Sequence, residues 1–137
     1  MKCLLLCSLK RQILFRSPLY PGHVHDFSIF KQECGNINFS NLRLHVDLGF
    51  LGIQKVVPAA HVFIPHKNYR TRPLTAEQKQ ENASFSRIRV VVENVIAGMK
   101  AFFVLRIKNR MKDKQGLEDA IDACVLLANL KAMKMSA

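Results

Sequence analysis

The alternation of hydrophobic and polar positions predicts four short strands in the first half of the chain. Residues 3–9 and 13–16 are apolar runs separated by a short polar turn, the pattern of a β-hairpin. Apolar and polar side chains alternate through residues 42–47, which is the period of a half-buried strand. Residues 61–65 predict a further short strand.

Three helices are predicted. One is short and lies between the strands, and two lie in the second half of the chain, where the hydrophobic pattern changes to a helical period. Asp26 can cap a short helix that Gly35 ends, between the hairpin and the later strands. Thr75 and Gln78 have the spacing of a capping box at the start of a long amphipathic helix. A second, mostly apolar helix is predicted from Leu117 to about Leu130, after a basic loop. The apolar stripe of the long helix consists of Phe85, Ile88, Val92, Val95, Met99 and Phe102. Strands followed by helices predict an α+β or α/β fold around a small sheet, and of the two we predict an α/β fold with a small mixed sheet.

Composition narrows the class of partner. The chain has 137 residues, which is the length of a single domain, and a net charge of +11. Such an excess indicates a polyanionic partner, either nucleic acid or an anionic membrane surface. The apolar run at the start of the chain, residues 3–7, is far shorter than the roughly 20 residues of a spanning helix. No signal peptide is recognisable, so we expect a cytoplasmic protein without a membrane partner.

The positive charge is concentrated on the long helix and the loops at its ends. Residues 55–114 contain 13 basic and 4 acidic side chains. One explanation of this excess of basic side chains is a solvated helix face. However, few acidic residues lie at positions where they would form i,i+4 pairs with the basic ones, and this favours phosphate contacts. The candidate contacts to the phosphate backbone of a nucleic acid are Lys67, Arg70, Arg72, Arg89 and Lys100.

Two carboxylates have positions that suit metal chemistry. Glu93 shares a helix face with Arg89 and Lys100, so it is either a member of a structural ion pair or a metal ligand among phosphate-binding cations. Asp47 ends the alternating strand before a glycine-containing turn; it either bonds its own turn backbone or projects into a catalytic crevice. Carboxylate oxygens are preferred ligands of Mg²⁺ and Mn²⁺, the cations of phosphoryl transfer.

Five segments, in order, resemble the motifs of bacterial insertion-sequence DDE transposases, a group related to the eukaryotic Harbinger nucleases. Residues 46–53 resemble D-x-G-[YF]-x-G-[IL], and residues 64–67 resemble I-P-x-K. Residues 74–82 resemble L-T-x-E-x-K-x-x-N, and residues 89–100 resemble R-V-x-V-E-x-x-I-G-x-[LM]-K. Residues 21–26 resemble G-x-x-H-D. The ordered set is more specific than any one segment, because the matches extend over nearly the whole chain.

The resemblance implies a ribonuclease-H-like catalytic core that cleaves and joins DNA at transposon ends. It assigns Asp47 as the second acid of the catalytic triad and Glu93 as the third. It also implies Mg²⁺ or Mn²⁺ as the cofactor. Both acids would then face each other across one cation-sized gap.

The sequence departs from the family at the first triad aspartate. That residue lies on a strand upstream of the hairpin, and Asp26 is the first acidic residue of this chain. We therefore expect residues 1–137 to be a single, N-terminally truncated catalytic domain with an incomplete ribonuclease-H-like fold. It is expected to be inactive unless a second transposase polypeptide supplies the missing aspartate. The alternative is a non-catalytic, basic nucleic-acid-binding remnant.

Overall fold

The computed structural model describes residues 1–58, 60–105 and 113–136, and it is a mixed α/β structure. The predicted basic loop after the long helix lies largely in residues 106–112, outside the described residues. The strands are β1 (Leu5–Cys7), β2 (Ile13–Arg16), β3 (Arg43–His45) and β4 (His61–Phe63), and the helices are α1 (Asp26–Cys34), α2 (Ala76–Lys100) and α3 (Lys114–Ser136).

The described strands form two separate two-stranded sheets. The antiparallel pairing of β1 with β2 confirms the predicted hairpin, with a bulge between Leu6 and Cys7. β3 and β4 are parallel, with Leu44 opposite Val62. The sequence predicts one small mixed sheet; among the described residues both orientations occur, but in different sheets. At one point of β2, the Asn129 side chain of α3 bonds both the N–H and the C=O of Ile13, the backbone groups that a neighbouring strand would otherwise bond.

The chain divides into two compact units. The terminal unit comprises Met1–Leu19 and Arg89–Ala137, and the central unit comprises Tyr20–Ile88. α2 contributes its first half to the central unit and its second half to the terminal unit. A single truncated domain stays a prediction.

In the terminal unit, the hairpin packs against the second half of α2 and against α3. Val95 and Met99 of the predicted stripe are buried, whereas Val92 is 37% exposed and Val91 is half-buried in its place. The buried cluster consists of Ile13, Leu19, Val95, Met99, Ile121 and Cys124. None of the described helices has a stretch apolar and long enough to cross a bilayer.

An ion-pair network joins β2 to α3. The Arg16 guanidinium bonds the carboxylates of Glu118 and Asp122, and Glu118 also accepts the backbone N–H of Leu19 at 2.8 Å. Burial alone would raise the pKa of Glu118, but the Leu19 hydrogen bond and the Arg16 charge outweigh burial and lower it below the ordinary value.

In the central unit, aromatic side chains pack on α1. The ring of Phe30 lies 6.0 Å from that of Phe39 and 6.1 Å from that of Phe50. The helix begins at Asp26, but the cap position is His25, which makes no side-chain cap bond. Asp26 therefore does not occupy the predicted cap position; in the first turn its charge is favourable to the helix dipole.

The start of α2 is fixed by the predicted capping box. The backbone N–H of Thr75 donates to Gln78 Oε1 at 3.1 Å, and the backbone N–H of Gln78 donates to Thr75 Oγ1 at 3.2 Å. Further along the helix, Phe85 lies 5.9 Å from the ring of His45, which stacks on Phe63 at 4.8 Å. Burial, and then the charge of Arg43, lower the pKa of His45 below its ordinary value.

Candidate metal and nucleic-acid site

Asp47 is presented by a turn whose shape is set by its neighbours. The turn begins where β3 ends, and Asp47 Oδ1 caps a short 3-10 helix by accepting the Leu48 N–H at 2.7 Å. Gly52 adopts φ +90°, a left-handed conformation that glycine tolerates best. Phe50 packs edge-on against α1 and Ile53 is fully buried, so the turn is anchored on both sides of Gly52.

The turn-capping role considered for Asp47 is therefore observed in the structure. The side chain is exposed, and its described hydrogen bond engages Oδ1. An ionised carboxylate has about four acceptor positions on its two oxygens. Capping and cation binding by Asp47 are therefore compatible.

Glu93 lies on the exposed face of α2. Its Oε1 pairs with Arg89 Nε at 3.1 Å, one helical turn away, and both side chains are more than half exposed. A surface pair of this kind contributes little to stability, because water and salt screen it. The structural ion pair is thus present, and its small energetic weight leaves Glu93 able to exchange Arg89 for another cation.

The donor chemistry of both residues suits Mg²⁺ or Mn²⁺, since both offer hard carboxylate oxygens. Among residues 1–58, 60–105 and 113–136, no three His, Cys, Asp or Glu side chains lie together in a way that could hold a metal ion. Asp47 belongs to the central unit and Glu93 to the terminal unit. Their meeting at one cation stays a prediction.

The loop His66–Arg72, here called the finger loop, carries three of the predicted DNA contacts. Lys67, Arg70 and Arg72 are exposed, and within the described part of the chain they form no ion pair. Lys67 Nζ lies 5.1 Å from the centroid of the Tyr69 ring. The Arg72 N–H donates to the Tyr69 carbonyl at 3.1 Å, which closes a turn at the loop tip.

Two α2 side chains fasten the start of the finger loop. Asn82 Oδ1 accepts the His66 N–H at 2.8 Å, and Asn82 Nδ2 donates to the His66 carbonyl at 2.9 Å. The His66 ring contacts Glu81 at 2.5 Å. Sequence reasoning missed this role of Asn82, although the residue ends one quoted motif and His66 lies within another.

The remaining predicted contacts are also exposed. Arg89 and Lys100 lie on the second half of α2, within the terminal unit. Lys100 is in the last turn of the helix and forms no ion pair among the described residues. Arg89 is engaged by Glu93, so a phosphate would have to compete with that carboxylate.

Comparison with known proteins adds independent information. The family model described as DDE superfamily endonuclease matches residues 1–129. A probable transposase for insertion sequence element IS702 from Microchaete diplosiphon is 33% identical over 95 residues. The matched segment covers 69% of this chain and 33% of that protein, so the chain corresponds to about a third of its length. No solved structure gives a significant match.

Proposed function

Because this chain belongs to the DDE superfamily endonuclease family, we propose that it is the DNA- and metal-binding part of a transposase-type nuclease. The main support is the family match over residues 1–129, with the relative described as a probable transposase. The net charge of +11 agrees with a polyanionic substrate.

DNA binding is proposed to depend on backbone contacts from five exposed cations. Lysine and arginine neutralise phosphates and release their counterions, which gives affinity without sequence preference. Three of the cations lie on the finger loop and two on α2: Lys67, Arg70, Arg72, Arg89 and Lys100. The three loop residues are supported best, because among the described residues no carboxylate competes for them.

Asp47 and Glu93 are proposed as metal ligands. A bound Mg²⁺ or Mn²⁺ would activate the attacking oxygen and stabilise the leaving oxygen during DNA strand cleavage. Asp47 contributes a carboxylate on a turn held by Gly52 and Ile53, which limits its movement. Glu93 contributes a carboxylate whose charge Arg89 balances in the structure.

We further propose that these 137 residues do not cleave DNA by themselves. The triad of the family has three acids, and the resemblance assigns two of them to this chain, Asp47 and Glu93. Two carboxylates hold a divalent cation weakly. A complementing transposase subunit would supply the third.

Binding to a fluorescent DNA duplex, measured by anisotropy at several salt concentrations, tests the proposed contacts. Replacing Lys67, Arg70 and Arg72 together by Gln removes three phosphate contacts. The slope of log K against log salt should become shallower by about 2–3 units, since each contact contributes about 0.9. The matched control replaces Lys10, Lys131 and Lys134, which are exposed and lie outside residues 55–114, by Gln, an equal change of charge. Equal losses in both triple variants would contradict the assignment of the finger loop.

Nicking of supercoiled plasmid in Mn²⁺ tests the proposed inactivity. The parent chain, Asp47→Asn and Glu93→Gln should all leave the plasmid intact. Nicking by the parent that both substitutions abolish would contradict inactivity while supporting the two ligands. Nicking that survives both substitutions would contradict their assignment.

A further inference from the structure

The finger loop is joined to α2 by an amide side chain at the residue where the loop begins. We propose that Asn82 is a positioning residue that holds the finger loop in the conformation that presents Lys67, Arg70 and Arg72 to DNA. The positioning role of Asn82 rests on the proposed DNA contacts of the loop. The fastening of the loop to α2 by Asn82 does not depend on DNA.

The two bonds from Asn82 satisfy both polar backbone groups of one loop residue. The donor and acceptor of the amide meet the C=O and N–H of His66 at 2.9 and 2.8 Å, as a neighbouring strand would. Asn129 makes the same pair of bonds to Ile13 of β2, at 2.9 and 2.7 Å. In both places an amide on a helix bonds the backbone of a segment that passes beside it.

The other contacts of the finger loop cannot replace this fastening. The pair between His66 and Glu81 is exposed, with 39% and 67% of the side chains accessible, so solvent weakens it. The Tyr69–Arg72 turn and the contact of Lys67 with Tyr69 lie within the loop and do not reach the helix. Removal of the Asn82 amide would therefore free the start of the loop while its tip turn persists.

A loosened loop binds DNA more weakly, because its cations must be ordered on binding. The cationic side chains are ordered on binding in the parent too, but in the variant the loop backbone must be ordered as well, which reduces the free energy gained on binding. We expect Asn82→Ala to weaken DNA binding about tenfold. Since all five phosphate-contacting residues are retained, the salt slope should stay unchanged.

Limited proteolysis with trypsin measures the fastening without DNA. Cleavage after Lys67 and Arg70 reports opening of the finger loop; the bond after Arg72 precedes Pro73 and is resistant. Cleavage after Lys31, in α1 of the same unit, reports unfolding of the unit. Asn82→Ala should raise the ratio of loop cleavage to Lys31 cleavage about tenfold. Asn82→Asp, which keeps the acceptor and loses the donor, should raise it in the same direction.

The control is Asn94→Ala, an exposed position on the same helix, for which both the cleavage ratio and the DNA affinity should equal those of the parent. An unchanged ratio in Asn82→Ala would overturn the proposal even if the variant is less stable, because general unfolding exposes Lys31 as well. A raised ratio with unchanged DNA affinity would overturn the positioning role of Asn82 and the proposed DNA contacts of the finger loop. It would leave the fastening of the loop by Asn82 supported. A raised ratio with weaker binding at constant salt slope would support both.

Discussion

Single residues determine how rigidly Asp47 is presented. Its carboxylate caps the turn, and Gly52 supplies the left-handed conformation that the chain needs five residues later. Nothing lies within 4 Å of a Cβ built on Gly52 or on Gly49 of the same turn. The difference between these two glycines is therefore conformational and not steric.

Substitution of alanine at the two glycines separates these effects. Gly52→Ala should lower the free energy of unfolding by about 1 kcal/mol, because alanine is strained at positive φ. Gly49→Ala should stay within about 0.5 kcal/mol of the parent, and urea unfolding measures both. Equal effects of the two changes would show that the conformation at Gly52 is not what fixes the turn.

The sequence predicts part of this turn. Spacing and residue type placed Asp47 at a strand end before a glycine turn, because both are local properties. The packing of Phe50 on Phe30 was not predictable, since it depends on a contact between α1 and a distant turn. Asn82 was missed for the same reason: its partner is the backbone of His66, and a backbone group has no signature in sequence.

Among the described elements, β2 and α3 are joined by side chains that are far apart in sequence. Arg16 and Glu118 are separated by 102 positions, yet Glu118 accepts from both the Arg16 side chain and the Leu19 backbone. The hairpin and the capping box were predictable because their partners are close in sequence. The network of Arg16 and Glu118 was not predictable, because no local sequence pattern specifies a pair of residues so far apart.

The lowered pKa of Glu118 makes stability depend on pH. The ionised carboxylate stabilises the folded chain above its ordinary pKa of 4.5, and this contribution is lost as pH falls through the lower, folded value. Glu118→Gln should lower the free energy of unfolding at pH 7 by about 2 kcal/mol and flatten its decline below pH 4.5. Urea unfolding across pH is the measurement.

Glu93→Gln is the control for this change, since the exposed pair of Glu93 with Arg89 contributes little to stability. It should leave the acid decline of stability as in the parent. If the parent and Glu118→Gln lost stability in parallel below pH 4.5, the network would not be the source of the acid sensitivity.

For the whole molecule, charge and family support the same proposal, which is DNA binding. The excess of basic residues predicts a polyanionic partner from composition alone, and the family match gives that partner as DNA in our proposal. The matched segment covers a third of its relative, so the complete reaction is proposed to need more protein than these residues. Whether Asp47 and Glu93 share one ion depends on tertiary arrangement, which residue spacing does not determine.

Binding of Mn²⁺ to the isolated chain, followed by electron paramagnetic resonance of the free ion, tests the assignment of the two carboxylates most directly. We predict weak binding by the parent, with Asp47→Asn and Glu93→Gln each reducing affinity about tenfold, because affinity falls with the number of charged ligands. Glu77→Gln, on the same helix as Glu93, should bind as the parent does. Equal Mn²⁺ affinity in the parent and in both carboxylate variants would contradict the account.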